Sequence, residues 1–133
     1  MKNKIKLLSR TEFSENVLRR DKGICVFCTK PATSAHHIIE RKLFNDGGYY
    51  LDNGASVCDA HHWDCEKTDI SVEDVRKACK IANVIIPNHF DMSKSYDKWG
   101  NIILDNGMRI KGEMFYLENV QKILKDKINI FVD

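Results

Sequence analysis

The stretch Ala35-His36-His37-Ile38-Ile39, followed by Asn53 and then by Cys58-Asp59-Ala60-His61-His62, decides how this chain is read. Ser34 to Ile39 is expected to be a short strand carrying both histidines. Side chains alternate between the faces of a strand, so His36 and His37 cannot easily share one ion. One of the pair is expected to bind metal. The other suits a general base, because a neutral imidazole accepts a proton near pH 7. Val57 to about Thr68 is expected to be a helix holding His61, His62 and Glu66. The i, i+4 spacing puts Glu66 on the face of His62, which makes it a candidate further ligand. Histidines, a carboxylate and open water positions suit a divalent ion that grips a phosphate oxygen.

Outward from this stretch lies Cys25-x-x-Cys28, which pairs with Cys58-x-x-His61 as the second half of a ligand set. A two-residue gap lets one tight turn aim both of its ligands at one ion, and zinc favours a tetrahedral Cys/His set. The expected structural zinc ligands are therefore Cys25, Cys28, Cys58 and His61. Cys65 is the alternative fourth ligand, which would free His61 for catalysis. Cys79 falls in a helical pattern and is expected to be a small core residue. An odd number of cysteines, five, without a secretion signal argues against a disulfide framework.

Elsewhere Thr11 is expected to cap a helix running to about Arg20, ended by Gly23. Ile24 to Cys28 is expected to be a short strand entering the knuckle. Tyr49 to Leu51 is expected to be the second arm of a hairpin, with turn signals at Asp46-Gly47-Gly48 and Asp52-Asn53-Gly54. Ser71 caps a further helix to about Ala82, and Pro87 closes the region. Residues 1–87 are thus expected to form one metal-binding domain, and 88–133 an extension. In the extension, Asp105-Asn106-Gly107 between apolar runs marks a hairpin. A helix from Phe115 to Lys125 and a last strand from Ile128 to Val132 follow. Tyr96, Trp99, Phe115 and Tyr116 could stack on bases, but core or interface roles are favoured. Homodimerisation is one role open to this extension.

The chain has 133 residues, 43% of them hydrophobic and 30% charged, which suits a folded globular protein. No apolar run approaches the roughly 20 residues of a membrane span, so no membrane association is expected. The N-terminus is basic but lacks the apolar stretch of a signal peptide. Net charge is only +2, yet residues 1–30 carry eight basic side chains against three acidic ones. Such an arm suits phosphate contact.

Cys25-x-x-Cys28, Ala35-His36-His37-Ile38-Ile39, Asn53 and Cys58-x-x-His61-His62 together resemble the HNH endonuclease family, also called His-Me finger nucleases. Arg19-Arg20-Asp21-x-Gly23-x-Cys25 resembles the lead-in of its zinc-containing members. The likeness covers about residues 10–70. It implies an α+β fold with a ββα-metal core, zinc knuckles and, here, a C-terminal β-hairpin and helix. It implies His37 as general base, Asn53 holding the strand and ring of His37 in register, and His36 and His62 as ligands of a catalytic ion. Glu66 stands where some members place another histidine. The ion would be Mg2+ or Mn2+, with Zn2+ or Ni2+ as alternatives, beside structural Zn2+. The expected partner is DNA, double-stranded, with Arg19, Arg20, Arg41 and Lys42 as candidate backbone contacts. The expected setting is the cytoplasm of a bacterial or phage-infected cell.

Overall fold

A computed structural model describes residues 6–132; Lys2 and Lys4 of the basic arm lie outside them. The chain is α+β, with four short α-helices and two small antiparallel sheets among the described residues. Helix α1 (Arg10–Arg20) starts two residues earlier than expected, because Ser9 rather than Thr11 caps it. Ser9 and Glu12 form a reciprocal capping box, and this satisfies two free N–H groups at the helix start. Phe13 and Val17 point inward from it.

The segment Ile24–Cys28 is not a strand. It turns tightly, touching Pro31 through a single Ile24–Pro31 bridge. Strand β1 (Ser34–His37) pairs antiparallel with β2 (Gly54–Val57), with His36 opposite Ala55 and His37 opposite Gly54. The second arm is therefore Gly54–Val57 and not Tyr49–Leu51. Residues Leu51–Asn53 instead form a single 3-10 turn that delivers the chain into β2. Ile38 and Ile39 leave the ladder and enter the core. Helix α2 (Asp59–Glu66) begins directly after β2, with Cys58 at its N-cap, so Val57 belongs to the strand. Helix α3 (Val72–Ala78) has the expected Ser71 cap but stops short of Ala82, and Lys80 adopts a positive φ of 58° just beyond it.

In the C-terminal segment β3 (Ser95–Tyr96), β4 (Ile102–Ile103) and β5 (Arg109–Ile110) form a three-stranded meander. The hairpin around Asp105-Asn106-Gly107 is as expected; β3 is an addition to it. Helix α4 (Glu118–Ile123) is shorter than expected and follows a 3-10 turn at Glu113–Tyr116. The anticipated last strand is a 3-10 stretch, Lys125–Ile130, and only Phe131 bridges back to Arg109.

One apolar cluster spans both halves of the chain. Ile38, Ile39, Val57 and Val75 pack in it together with Trp99, Phe115, Leu124 and Phe131. Trp99 and Phe115 are thus core residues, Tyr96 is half-buried and Tyr116 is exposed. Among the described residues no helix is long and apolar enough to cross a membrane.

Candidate metal centres

Cys25, Cys28, Cys58 and His61 bring one ligand atom each to within 4.8 Å of one another. The tight turn after α1 supplies the first two, and the start of α2 supplies the others. Cys28 Sγ and Cys58 Sγ are 3.9 Å apart, Cys25 Sγ and His61 Nδ1 3.5 Å, and Cys58 Sγ and His61 Nδ1 3.3 Å. Bond lengths of about 2.3 Å to sulfur and about 2.0 Å to nitrogen give a tetrahedron with sulfur–sulfur edges of roughly 3.8 Å and sulfur–nitrogen edges of roughly 3.5 Å. The observed spacings match those edges, so the four residues fit a metal ion such as zinc. The His61 backbone N–H, its ring and the neighbouring thiols outweigh burial and draw the Cys58 thiol down to about 6, toward the thiolate a metal binds. Cys65 belongs elsewhere: it is buried in the apolar core, and burial pushes its thiol up to about 12. Cys79 is also a core residue.

His36, His62 and Glu66 form a second cluster whose ligand atoms again lie within 4.8 Å of one another. His36 Nδ1 is 3.5 Å from Glu66 Oε2, and His62 Nε2 is 3.9 Å from the same oxygen. Successive residues of α2 diverge by about 100° around the helix, so His61 turns to the sulfurs while His62 turns to β1. The other nitrogen of His62, Nδ1, lies 3.1 Å from Ser34 Oγ, which fixes the ring with Nε2 toward Glu66. His36 is buried, and its Nδ1 has no hydrogen-bond partner among the described residues. Burial first, and then the charge of Lys98, hold its pKa well below the usual imidazole value. A neutral imidazole with an unpartnered buried nitrogen, beside a second imidazole and a carboxylate, is a donor set that fits a divalent ion.

His37 occupies the opposite face of β1. Its ring stacks on Phe13 at 4.4 Å and meets Tyr49 edge-on at 5.1 Å. Gly54, its cross-strand partner, makes this possible: a Cβ there would lie 2.4 Å from Val17 Cγ2 and 2.8 Å from Phe13 Cζ. Burial, with further contributions from Lys98, Arg41 and Arg10, lowers the His37 pKa to about 4. His37 lines an open groove of about 380 Å³ together with Arg10, Ser34, Arg41 and Tyr49. Ser34 therefore joins the groove to the His62 side of the second cluster.

Asn53 is 1% exposed and makes three side-chain hydrogen bonds. Its Oδ1 accepts from Ile39 N, and its Nδ2 donates to Ile39 O and Gly48 O. It pins the chain where β1 ends, so it positions the strand and not the His37 ring directly. Of the candidate backbone-contacting residues, Arg41 and Lys42 are exposed just beyond β1, and Arg19 is exposed on α1. Arg20 works inside the fold, donating to Asp21 and to the carbonyls of Leu51 and Gly54.

Arg10, one of the basic residues of the N-terminal arm, lines the groove. Two residues near these clusters escape a reading of the sequence. Glu40 and Lys98 meet across 58 positions, with Lys98 Nζ 2.9 Å from Glu40 Oε1 and 3.3 Å from Glu66 Oε2. No local pattern announces such a contact.

No protein-family model matches this chain, and no curated protein or solved structure matches it.

Proposed function

We propose that the chain is a metal-dependent endonuclease of the HNH type, hydrolysing phosphodiester bonds in double-stranded DNA. The observation that carries this reading is the unpartnered His36 Nδ1 facing His62 and Glu66, with His37 on the reverse of the same strand in a basic groove. A purely structural histidine pair has no need of this arrangement. A chain that only grips nucleic acid would need the Cys/His knuckle and the arginines alone.

In this reading His36, His62 and Glu66 hold the ion, and Cys25, Cys28, Cys58 and His61 hold a zinc that maintains shape. The ion, when bound, supplies positive charge at the phosphoryl oxygens and at the leaving 3′ oxygen. Arg10 and Arg41 draw the phosphate backbone into the groove. His37, neutral near pH 7, takes the proton of the attacking water. An arriving phosphate brings negative charge, which favours protonated imidazole and moves this weak base toward the working pH. Phe13 and Tyr49 hold the ring in place while Asn53 anchors the strand behind it. The products would be 5′ phosphate and 3′ hydroxyl ends.

The test is conversion of supercoiled plasmid to nicked or linear forms. Cleavage is expected with Mg2+ or Mn2+ and none in EDTA, and sequencing of the ends should give 5′ phosphates. Tight DNA binding with no cleavage under any divalent ion would replace this reading with that of a zinc-stabilised binding module.

A further inference from the structure

Lys98 is 4% exposed, and burying an ammonium is costly unless carboxylates surround it. Two do: Glu40 Oε1 at 2.9 Å and Glu66 Oε2 at 3.3 Å. Glu66 Oε2 is also the oxygen that faces His36 Nδ1 and His62 Nε2. The ammonium and an ion in the triad would therefore share a single carboxylate oxygen. The position of Lys98 does not depend on its charge alone. Its carbonyl accepts from Glu40 N at 3.0 Å, and the next residue, Trp99, donates its Nε1–H to Glu66 O at 2.8 Å.

The geometry points to Lys98 as a positioning residue that, acting through Glu66, sets how tightly the His36–His62–Glu66 triad holds a divalent ion. This rests on the proposed reading of the triad as a cation site. Glu66 and Lys98 cancel in formal charge, which leaves Glu40 as the one uncompensated carboxylate of the group. Lys98 is buried and the two glutamates are half-buried, so solvent screens these neighbours only in part and each unit of charge bears on a divalent ion. Removing the ammonium leaves two facing carboxylates, which should strengthen ion binding. Removing the charge of Glu40 leaves the ammonium less balanced, which should weaken it. A residue that only ties the C-terminal segment to the core would not shift ion affinity in opposite directions with its partner.

The experiment is calorimetric titration of Mn2+ into the zinc-loaded full-length protein near neutral pH, with His36→Ala defining which binding belongs to the triad. Lys98→Met is expected to bind Mn2+ about tenfold more tightly than wild type, and Glu40→Gln about tenfold more weakly. Unchanged or weaker binding in Lys98→Met overturns the proposal. If that variant does not fold, unchanged or tighter binding in Glu40→Gln overturns it. A wild-type protein with no His36-dependent Mn2+ binding removes the cation-site reading as well, whereas His36-dependent binding indifferent to both variants removes only the role of Lys98.

Discussion

Asn53 does more for this site than its size suggests. It is buried, and its amide satisfies both backbone groups of Ile39 and the carbonyl of Gly48 at once. Asn53→Ala would leave both backbone groups of Ile39 without partners in a dry interior, at roughly 1–3 kcal/mol for each, while the Gly48 carbonyl would keep its bond from Tyr50 N. We expect the variant to lose at least about 2 kcal/mol of stability in urea unfolding. A loss under about 0.5 kcal/mol would show that the register of β1 is held elsewhere. The chemistry of single residues was the most legible level of the sequence. The two-residue gaps of Cys25/Cys28 and Cys58/His61 expressed a local turn geometry, and that geometry places all four ligand atoms together. The opposite facing of His36 and His37 followed from strand alternation alone. Arg20 shows the limit of such reading. Its charge suggested a phosphate contact, but Asp21 beside it and two carbonyls more than thirty positions away claim its guanidinium.

At the scale of elements, β1 and α2 divide the candidate ligands between two clusters by direction. The start of α2 faces the knuckle and its later turn faces β1, so a single eight-residue helix serves both clusters. The knuckle also fixes where α2 begins, because Cys58 is its N-cap. Structural zinc contributes folding energy outright. Cys25→Ser is therefore expected to lose zinc and to lower the melting temperature by about 10 °C or more, as a loss of roughly 3 kcal/mol does in a chain of this size. Full zinc content with an unchanged melting temperature would contradict the structural role. The elements read least well from sequence were those decided by pairing at a distance. Tyr49 to Leu51 has the composition of a strand, yet β1 pairs with Gly54–Val57. That choice brings Gly54 opposite His37, where only a missing Cβ lets Phe13 and Val17 close over the sheet. A local window contains no trace of this steric demand.

Across the whole molecule, the C-terminal segment is built into the site and not merely attached to it. Lys98 and Trp99 grip the carboxylate and the carbonyl of Glu66. The loop that carries them is fixed by buried Asp97, which accepts hydrogen bonds from the backbone of Trp99, from Asn101 and from Arg109. Burial raises the Asp97 carboxyl against these bonds, yet the loss of its side chain would strand the Arg109 charge in the interior. Asp97→Ala is expected to cost about 3 kcal/mol or more by urea unfolding, and a cost below about 1 kcal/mol would contradict this account of the loop. The contacts of Lys98 and Trp99 with Glu66 join positions more than thirty residues apart, and therefore nothing in the local sequence of 88–133 declared them. In the proposed function an ion that holds shape is separate from the residues that break a DNA strand, and His37 belongs to the second group only. The most direct measurement is plasmid cleavage by His37→Ala at matched zinc content and melting temperature. The account predicts a loss of at least about 100-fold in cleavage rate with fold and zinc retained; cleavage at the wild-type rate would contradict it.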